Sequence, residues 1–163
     1  MSSITYQFEY DEFLSIDDLM PADANLLQKA REATAQAYAP YSQFYVGAAA
    51  SLVNGVILTG SNQENAASPA GICAERVLLS TISALHPGIP IDSIAVSFNS
   101  ELTSVDNPIT PCGICRQTLQ EYEARLKRPI RLLLSGMTGP VWVISAAGML
   151  LPLSFNNLKP DHL

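Results

Sequence analysis

Three cysteines and one glutamate carry the reactive chemistry of this chain: Cys73 and Glu75 in "CAER", and Cys112 and Cys115 in "PCGIC". A C-x-x-C pair can be a redox dithiol, half of a structural zinc cage, or part of a catalytic zinc site. If Cys112 opens a helix, Cys115 lies one turn further on the same face, so the two thiolates can grip one ion. A helix N-terminus also presents free N–H groups and partial positive charge, which favour the thiolate. Structural zinc takes four protein ligands, whereas catalytic zinc takes three and keeps a position for water. The sequence has two histidines, His86 and His162, and neither has metal-ligand spacing; both read as surface residues. A thioredoxin-like pair would follow a strand near the start of the domain and would leave Cys73 unexplained. Three unrelated buried cysteines are the plain alternative. Glu75, two residues after Cys73, argues against it, because a carboxylate beside a zinc-activated water can shuttle protons.

The elements that must position these groups follow from hydropathy pattern and turn chemistry. Ile4, Tyr6, Phe8 and Tyr10 alternate with polar residues and predict an N-terminal strand. The segment "PADANLLQKAREATAQAYAP" predicts a helix capped by Asp23 and stopped by Pro40. "FYVGAAASLVNGVILTG" predicts a β-hairpin turning at Asn54-Gly55. A helix from Cys73 to Pro87-Gly88 follows, then the strand "IDSIAVSF", a polar loop, and a helix from Cys112 to about Lys127. "IRLLLS" and "VWVISA" are two more strands, and the tail around "GMLLPLSFNN" is irregular or a short helix. Such alternation predicts an α/β fold, a three-layer α/β/α sandwich on a mixed sheet of about five strands, with an extra N-terminal strand. Residues 1–22 read as an N-terminal extension and 23–163 as one catalytic domain.

Bulk properties narrow the partners. The 163 residues are 48% hydrophobic and 15% charged, which suits one globular core. The net charge of −6 disfavours nucleic acid, and the small cluster Arg125, Lys127, Arg128 and Arg131 reads as a solvated helix end. No apolar run reaches the ~20 residues of a membrane-spanning helix. The N-terminus lacks the basic-then-apolar pattern of a secretory signal. With an odd number of cysteines, this points to a reducing compartment, the cytoplasm.

Together the residues spell C-x-E…P-C-x-x-C, the three-cysteine form of a known zinc-deaminase signature. The sequence resembles the cytidine deaminases of the small, homotetrameric type. The resemblance is carried by "AYAPYSQFYVGAA", "GSNQENAA", "CAERVLL", "PCGICRQTLQEY" and "LLPLSF", five motifs in order along the chain. It implies the cytidine-deaminase fold and hydrolytic deamination of cytidine and 2′-deoxycytidine, with release of ammonia. It implies one Zn2+ per subunit on Cys73, Cys112 and Cys115, and Glu75 as proton shuttle. Asn62 and Glu64 match the pair that grips the ribose hydroxyls, and Phe44 an aromatic that packs on the pyrimidine. The backbone near Ala66 and Ala74 matches segments that read the base edge, and Phe155 an aromatic reaching a neighbouring subunit's site. Arg76 matches an arginine that donates to the cysteine sulfurs, while Arg116 is assigned a structural role. Ser68 stands where many relatives carry tyrosine near the ribose 5′ end, a contact Tyr41 or Tyr45 would have to replace. A blasticidin-type aminonucleoside deaminase would share the zinc motifs, and a non-catalytic zinc-stabilised module would share only the cysteines. The resemblance further implies a homotetramer with a small nucleoside as substrate.

Overall fold

The computed structural model describes residues 1–156, so His162 lies outside the described residues. Six strands form one sheet: β1 (Asp11–Phe13), β2 (Phe44–Leu52), β3 (Ile57–Ser61), β4 (Ile91–Ser100), β5 (Arg131–Ser135) and β6 (Val141–Ile144). Their spatial order is β1-β6-β5-β4-β2-β3. β4 and β5 are parallel and every other pair is antiparallel, so the sheet is mixed as expected. Three α-helices complete the fold: α1 (Pro21–Ala33), α2 (Ala74–Leu85) and α3 (Gly113–Leu126).

Period-2 alternation on the central strands divides the core into two layers. Ala48, Ala50, Ile94, Val96, Leu132 and Leu134 pack with Leu78, Leu79 and Ile82 of α2 and Leu119 of α3. Their neighbours in sequence, Ala49, Ala95 and Leu133, pack with Leu26, Leu27 and Ala30 of α1 on the opposite face. This is the three-layer sandwich, and it puts both cysteine-bearing helices on one side of the sheet. Among the described residues, no helix is long and apolar enough to cross a membrane.

The hairpin turns where its sequence predicts, with Gly55 at φ +84°, a conformation that costs glycine little. α2 approaches β3 so closely that a Cβ on Gly60 would lie 2.7 Å from the Leu78 N and 2.9 Å from the Ala74 O. A side chain at position 60 would therefore push back the helix that starts beside Cys73. Gly60→Ala is expected to destabilise the fold by about 1–3 kcal/mol, read as a lower midpoint in urea. An unchanged midpoint would show that α2 can retreat without cost.

Three local expectations are corrected. The N-terminal strand is Asp11–Phe13, paired with Val141–Val143, and Ile4 to Tyr10 form no strand. β6 is only four residues long, so it offers no edge for a longer partner. The aromatics instead pack in tilted pairs, Phe8 against Tyr10 and Tyr10 against Trp142 of β6, and the Tyr6 O–H donates to the Met149 carbonyl. Asp23 is not the cap of α1. Met20 holds that position with Pro21 behind it, and Asp23 accepts two hydrogen bonds from Arg131, at 2.7 and 2.5 Å. Finally, α1 ends at Ala33 in a tighter turn over Thr34–Gln36, before Pro40, where the Thr34 hydroxyl donates to the Arg31 carbonyl at 2.7 Å.

Three of the four residues of the basic cluster are engaged within the fold. Arg128 pairs with Asp92 and Arg131 with Asp23, while Arg125 lies 4.1 Å from the centre of the Tyr122 ring.

Candidate active site

Cys73 and Cys112 are the residues immediately before α2 and α3, and both have extended backbones. Neither sulfur caps its helix. Cys115 sits in the first turn of α3 and is fully buried. The two helix starts therefore converge with their partial positive charges on one cluster of sulfurs, an environment that favours thiolates.

The spacing of that cluster is that of a tetrahedral metal site. Cys73 Sγ lies 3.8 Å from Cys112 Sγ, and Cys112 Sγ lies 3.6 Å from Cys115 Sγ. All three ligand atoms fall within 4.8 Å of one another. Tetrahedral zinc with Zn–S bonds of about 2.3 Å would separate its sulfurs by about 3.8 Å. Three soft thiolates at that spacing fit zinc, and among the described residues no histidine or carboxylate joins the cluster as a fourth ligand. His86 instead ends α2, with its N–H on the Ile82 carbonyl.

Among themselves the sulfurs divide their protons unevenly. The hydrogen bond from the Cys115 thiol holds Cys73 well down, at about 6, against burial and the charge of Glu75, with a hydrogen bond from the Cys112 thiol and the charge of Arg76 acting in the same direction. Cys115 is held above the ordinary thiol range by its hydrogen bond to Cys73 and by burial. Arg76 makes no side-chain hydrogen bond among the described residues, so its influence on the sulfurs is that of a nearby positive charge.

Glu75, in the first turn of α2, is only 5% exposed. Burial raises its pKa, opposed by hydrogen bonds from its own N–H and from the Cys115 thiol. A carboxyl group is thus lodged against the sulfur cluster with its proton affinity increased. A shift in that direction suits a group that must both accept and return a proton.

A cavity of about 390 Å³ opens from Cys73. Its wall includes Asn62, Glu64, Ala66, Ser68 and Tyr41, so three of the sequence-predicted contacts, Asn62, Glu64 and Ala66, share it with Cys73. The Asn62 amide bridges the start of β2: Oδ1 accepts from the Val46 N–H at 2.7 Å and Nδ2 donates to the Phe44 carbonyl at 2.9 Å. Glu64 Oε2 accepts from the Tyr41 N–H at 2.8 Å and the Ser42 N–H at 3.3 Å. The Ser42 hydroxyl and then the Tyr41 N–H hold the Glu64 carboxyl below its ordinary range.

The other expected contacts lie off this cavity. Phe44 stacks on Phe98, with ring centres 4.7 Å apart at 20°. Ala74 is fully buried as the first residue of α2, where its N–H falls outside the helix's own bonding. Phe155 is 70% exposed and borders a separate cavity on α3, where the Gln117 amide brackets its backbone.

Arg116 has the structural role expected of it. It donates to the Pro111 carbonyl at 2.8 Å, the Leu150 carbonyl at 3.2 Å and the Thr110 hydroxyl at 3.2 Å. The loop that delivers Cys112 is thereby tied to its own helix and to the chain after β6. Sequence reading missed Asn65 and Ile72 in the cavity wall, and it gave Ser42 no role; loop polarity is the only signal for Asn65 and Ser42, and the apolar Ile72 has none.

A family model described as the cytidine and deoxycytidylate deaminase zinc-binding region matches residues 20–128, a span that includes the three cysteines and Glu75. The chain belongs to this family. A cytidine deaminase of Sporosarcina psychrophila is 38% identical over 98 residues, covering 60% of this chain and 67% of the relative. One from Mycobacterium tuberculosis (strain H37Rv) is 34% identical over 113 residues, covering 67% of this chain and 80% of the relative. The crystal structure of cytidine deaminase from Burkholderia pseudomallei superimposes with a TM-score of 0.69 at 37% identity, covering 84% of this chain and all of that one. The mixed sheet and its flanking helices are therefore a shared fold, and the three-cysteine cluster of this chain lies within the matched zinc-binding region.

Proposed function

We propose that the protein hydrolytically deaminates cytidine and 2′-deoxycytidine to the corresponding uridines, releasing ammonia. The observation that carries this reading is the convergence of Cys73, Cys112 and Cys115 at two helix starts, with Glu75 buried against them. Zinc held by the three thiolates would supply Lewis acidity toward a water molecule.

Glu75 takes a proton from that water and delivers it to ring N3 as the oxygen bonds to C4. It then takes the hydroxyl proton and passes it to the exocyclic nitrogen. The C4–N4 bond breaks, ammonia leaves, and the C4 carbonyl of uridine forms. Burial of Glu75 excludes bulk water from this relay and raises its basicity toward the working range.

The substrate's own geometry directs the remaining contacts. C4 lies across the pyrimidine ring from N1, so a base with C4 at the cysteine end sends its sugar toward the far wall. Glu64 and Asn62, which line the same cavity, bind the ribose hydroxyls. Both backbone N–H groups that donate to Glu64 end on Oε2, and a carboxylate offers about four lone-pair sites, so acceptor capacity is left for the sugar. Asn62 retains a second amide hydrogen and a second lone pair beyond those it spends on β2. Phe44 packs on the pyrimidine, backbone groups at Ala66 and Ala74 read its edge, and Arg76 draws charge from the thiolates. In the assembly we propose, a homotetramer, Phe155 reaches a neighbouring site, a role that suits its 70% exposure. Residues 1–22 are an extension to the catalytic domain, and the cytoplasm is the compartment that would keep three thiols reduced.

Zinc-loaded protein should convert cytidine to uridine with stoichiometric ammonia, and a blasticidin-type aminonucleoside should compete poorly. Absence of ammonia from metal-loaded, folded protein would sink the enzymatic reading.

A further inference from the structure

The turn Tyr41–Gln43 is built around the Glu64 carboxylate more closely than the cavity wall requires. Residues Tyr38 and Asn62–Glu64 form a miniature ladder: the Tyr38 N–H donates to the Asn62 carbonyl at 3.0 Å, and the Glu64 N–H to the Tyr38 carbonyl at 2.7 Å. Beyond it the chain doubles back. The Gln43 N–H closes on the Ala39 carbonyl at 3.0 Å, and Gln43 itself has a left-handed φ of +53°. A non-glycine residue in that region is disfavoured and persists only when its surroundings hold it there.

Two sets of hydrogen bonds meet at Ser42. Its N–H, with that of Tyr41, donates to Glu64 Oε2. Its hydroxyl oxygen accepts from the Phe44 N–H at 3.2 Å, which fixes where β2 begins. A hydroxyl has one donor and two lone pairs, so accepting from Phe44 leaves its hydrogen for another acceptor, and a bond from it to Glu64 is the largest influence holding that carboxyl below its ordinary range. Ser42 is exposed and packs in neither core layer, so its contacts with Glu64 and Phe44 are its local structural connections. We propose that Ser42 is a positioning residue that aims Glu64 at the sugar hydroxyls, so that it sets selectivity for hydroxylated nucleosides without touching the reacting atoms. This rests on the cytidine reading above, in which Glu64 meets the ribose.

The consequence is a substrate-dependent effect that general loosening of the fold would not produce. If Ser42 acts through Glu64, its removal matters for a sugar that Glu64 can grip and not for one lacking those hydroxyls. The test is steady-state kinetics of zinc-loaded wild type, Ser42→Ala and Ser42→Thr on cytidine and on 2′,3′-dideoxycytidine, with melting curves as a folding control. Ser42→Ala should raise KM for cytidine by roughly three- to tenfold, the range of one lost hydrogen bond, with little change in kcat. Its kcat/KM for dideoxycytidine should match that of wild type, and Ser42→Thr, which keeps the hydroxyl, should restore cytidine KM. In a Glu64→Ala background, Ser42→Ala should add nothing further on cytidine. Equal losses on both nucleosides, or no loss on either, would overturn the positioning role and leave the deaminase reading standing. If wild-type protein turned over neither nucleoside, the deaminase reading would fall and this proposal with it.

Discussion

Glu75→Gln should bind zinc at the wild-type ratio and lose roughly a hundred- to ten-thousandfold in kcat, the usual contribution of a positioned acid–base group. Glutamine has the length and shape of glutamate, so the packing around a residue only 5% exposed is preserved. It also keeps an oxygen to accept the hydrogen bond from the Cys115 thiol. What it lacks is a site for a proton, and the relay needs two transfers through that site in each turnover. Stability should hold or rise slightly. Burial raises the pKa of Glu75, so the charged form is disfavoured in the folded chain and its contribution weakens as pH rises. A neutral amide removes that cost. Metal analysis, a melting curve and uridine formation would together check the claim. Wild-type turnover by a zinc-replete Glu75→Gln protein would show that the proton moves by another route.

The reactive centre was legible in the sequence because its geometry is local. Cys73 and Cys112 sit at helix starts, and a helix start fixes where its first residues and N–H groups point; Cys115 follows by the three-residue rule. Asn54-Gly55 likewise declared its hairpin, because few other pairs tolerate that turn. The features that escaped depend on contacts between distant parts of the chain. Asp23 looks like a helix cap in sequence, but Arg131, 108 residues away, claims its carboxylate. Ile4 to Tyr10 alternate like a strand, yet pairing needs a partner edge, and β6 supplies too short a one. Arg116 could be assigned a structural role from sequence, but its three partners span residues 110 to 150 and only folding brings them together. Ser42 is the extreme case: a serine in a polar turn has no distinguishing signal until Glu64 is seen against it.

Removal of the metal should separate folding from chemistry. Chelation of the zinc-loaded protein is expected to abolish turnover and to lower Tm, with both restored on adding zinc back. The stability loss follows from mass action: a ligand at a hundred times its Kd stabilises the folded state by about 2.7 kcal/mol. For a chain of this size that is a shift of about 5–10 °C. The fold itself should survive, because the two core layers are built from aliphatic side chains on both faces of the sheet. Cys112→Ala and Cys115→Ala should each reproduce the loss of zinc, since two thiolates and no neighbouring histidine make a poor site. They should differ in stability. Cys112 is exposed, so its loss should cost little beyond the metal, whereas Cys115 is fully buried and its removal also leaves a small cavity. Melting curves in excess chelator isolate that second effect, because no variant then holds the ion. If Cys115→Ala and Cys112→Ala melted together under those conditions, the buried thiol would contribute only as a ligand. If the chelated wild type still deaminated cytidine at its full rate with no bound metal, the cysteine cluster would be irrelevant to the chemistry, and with it the role assigned to Glu75.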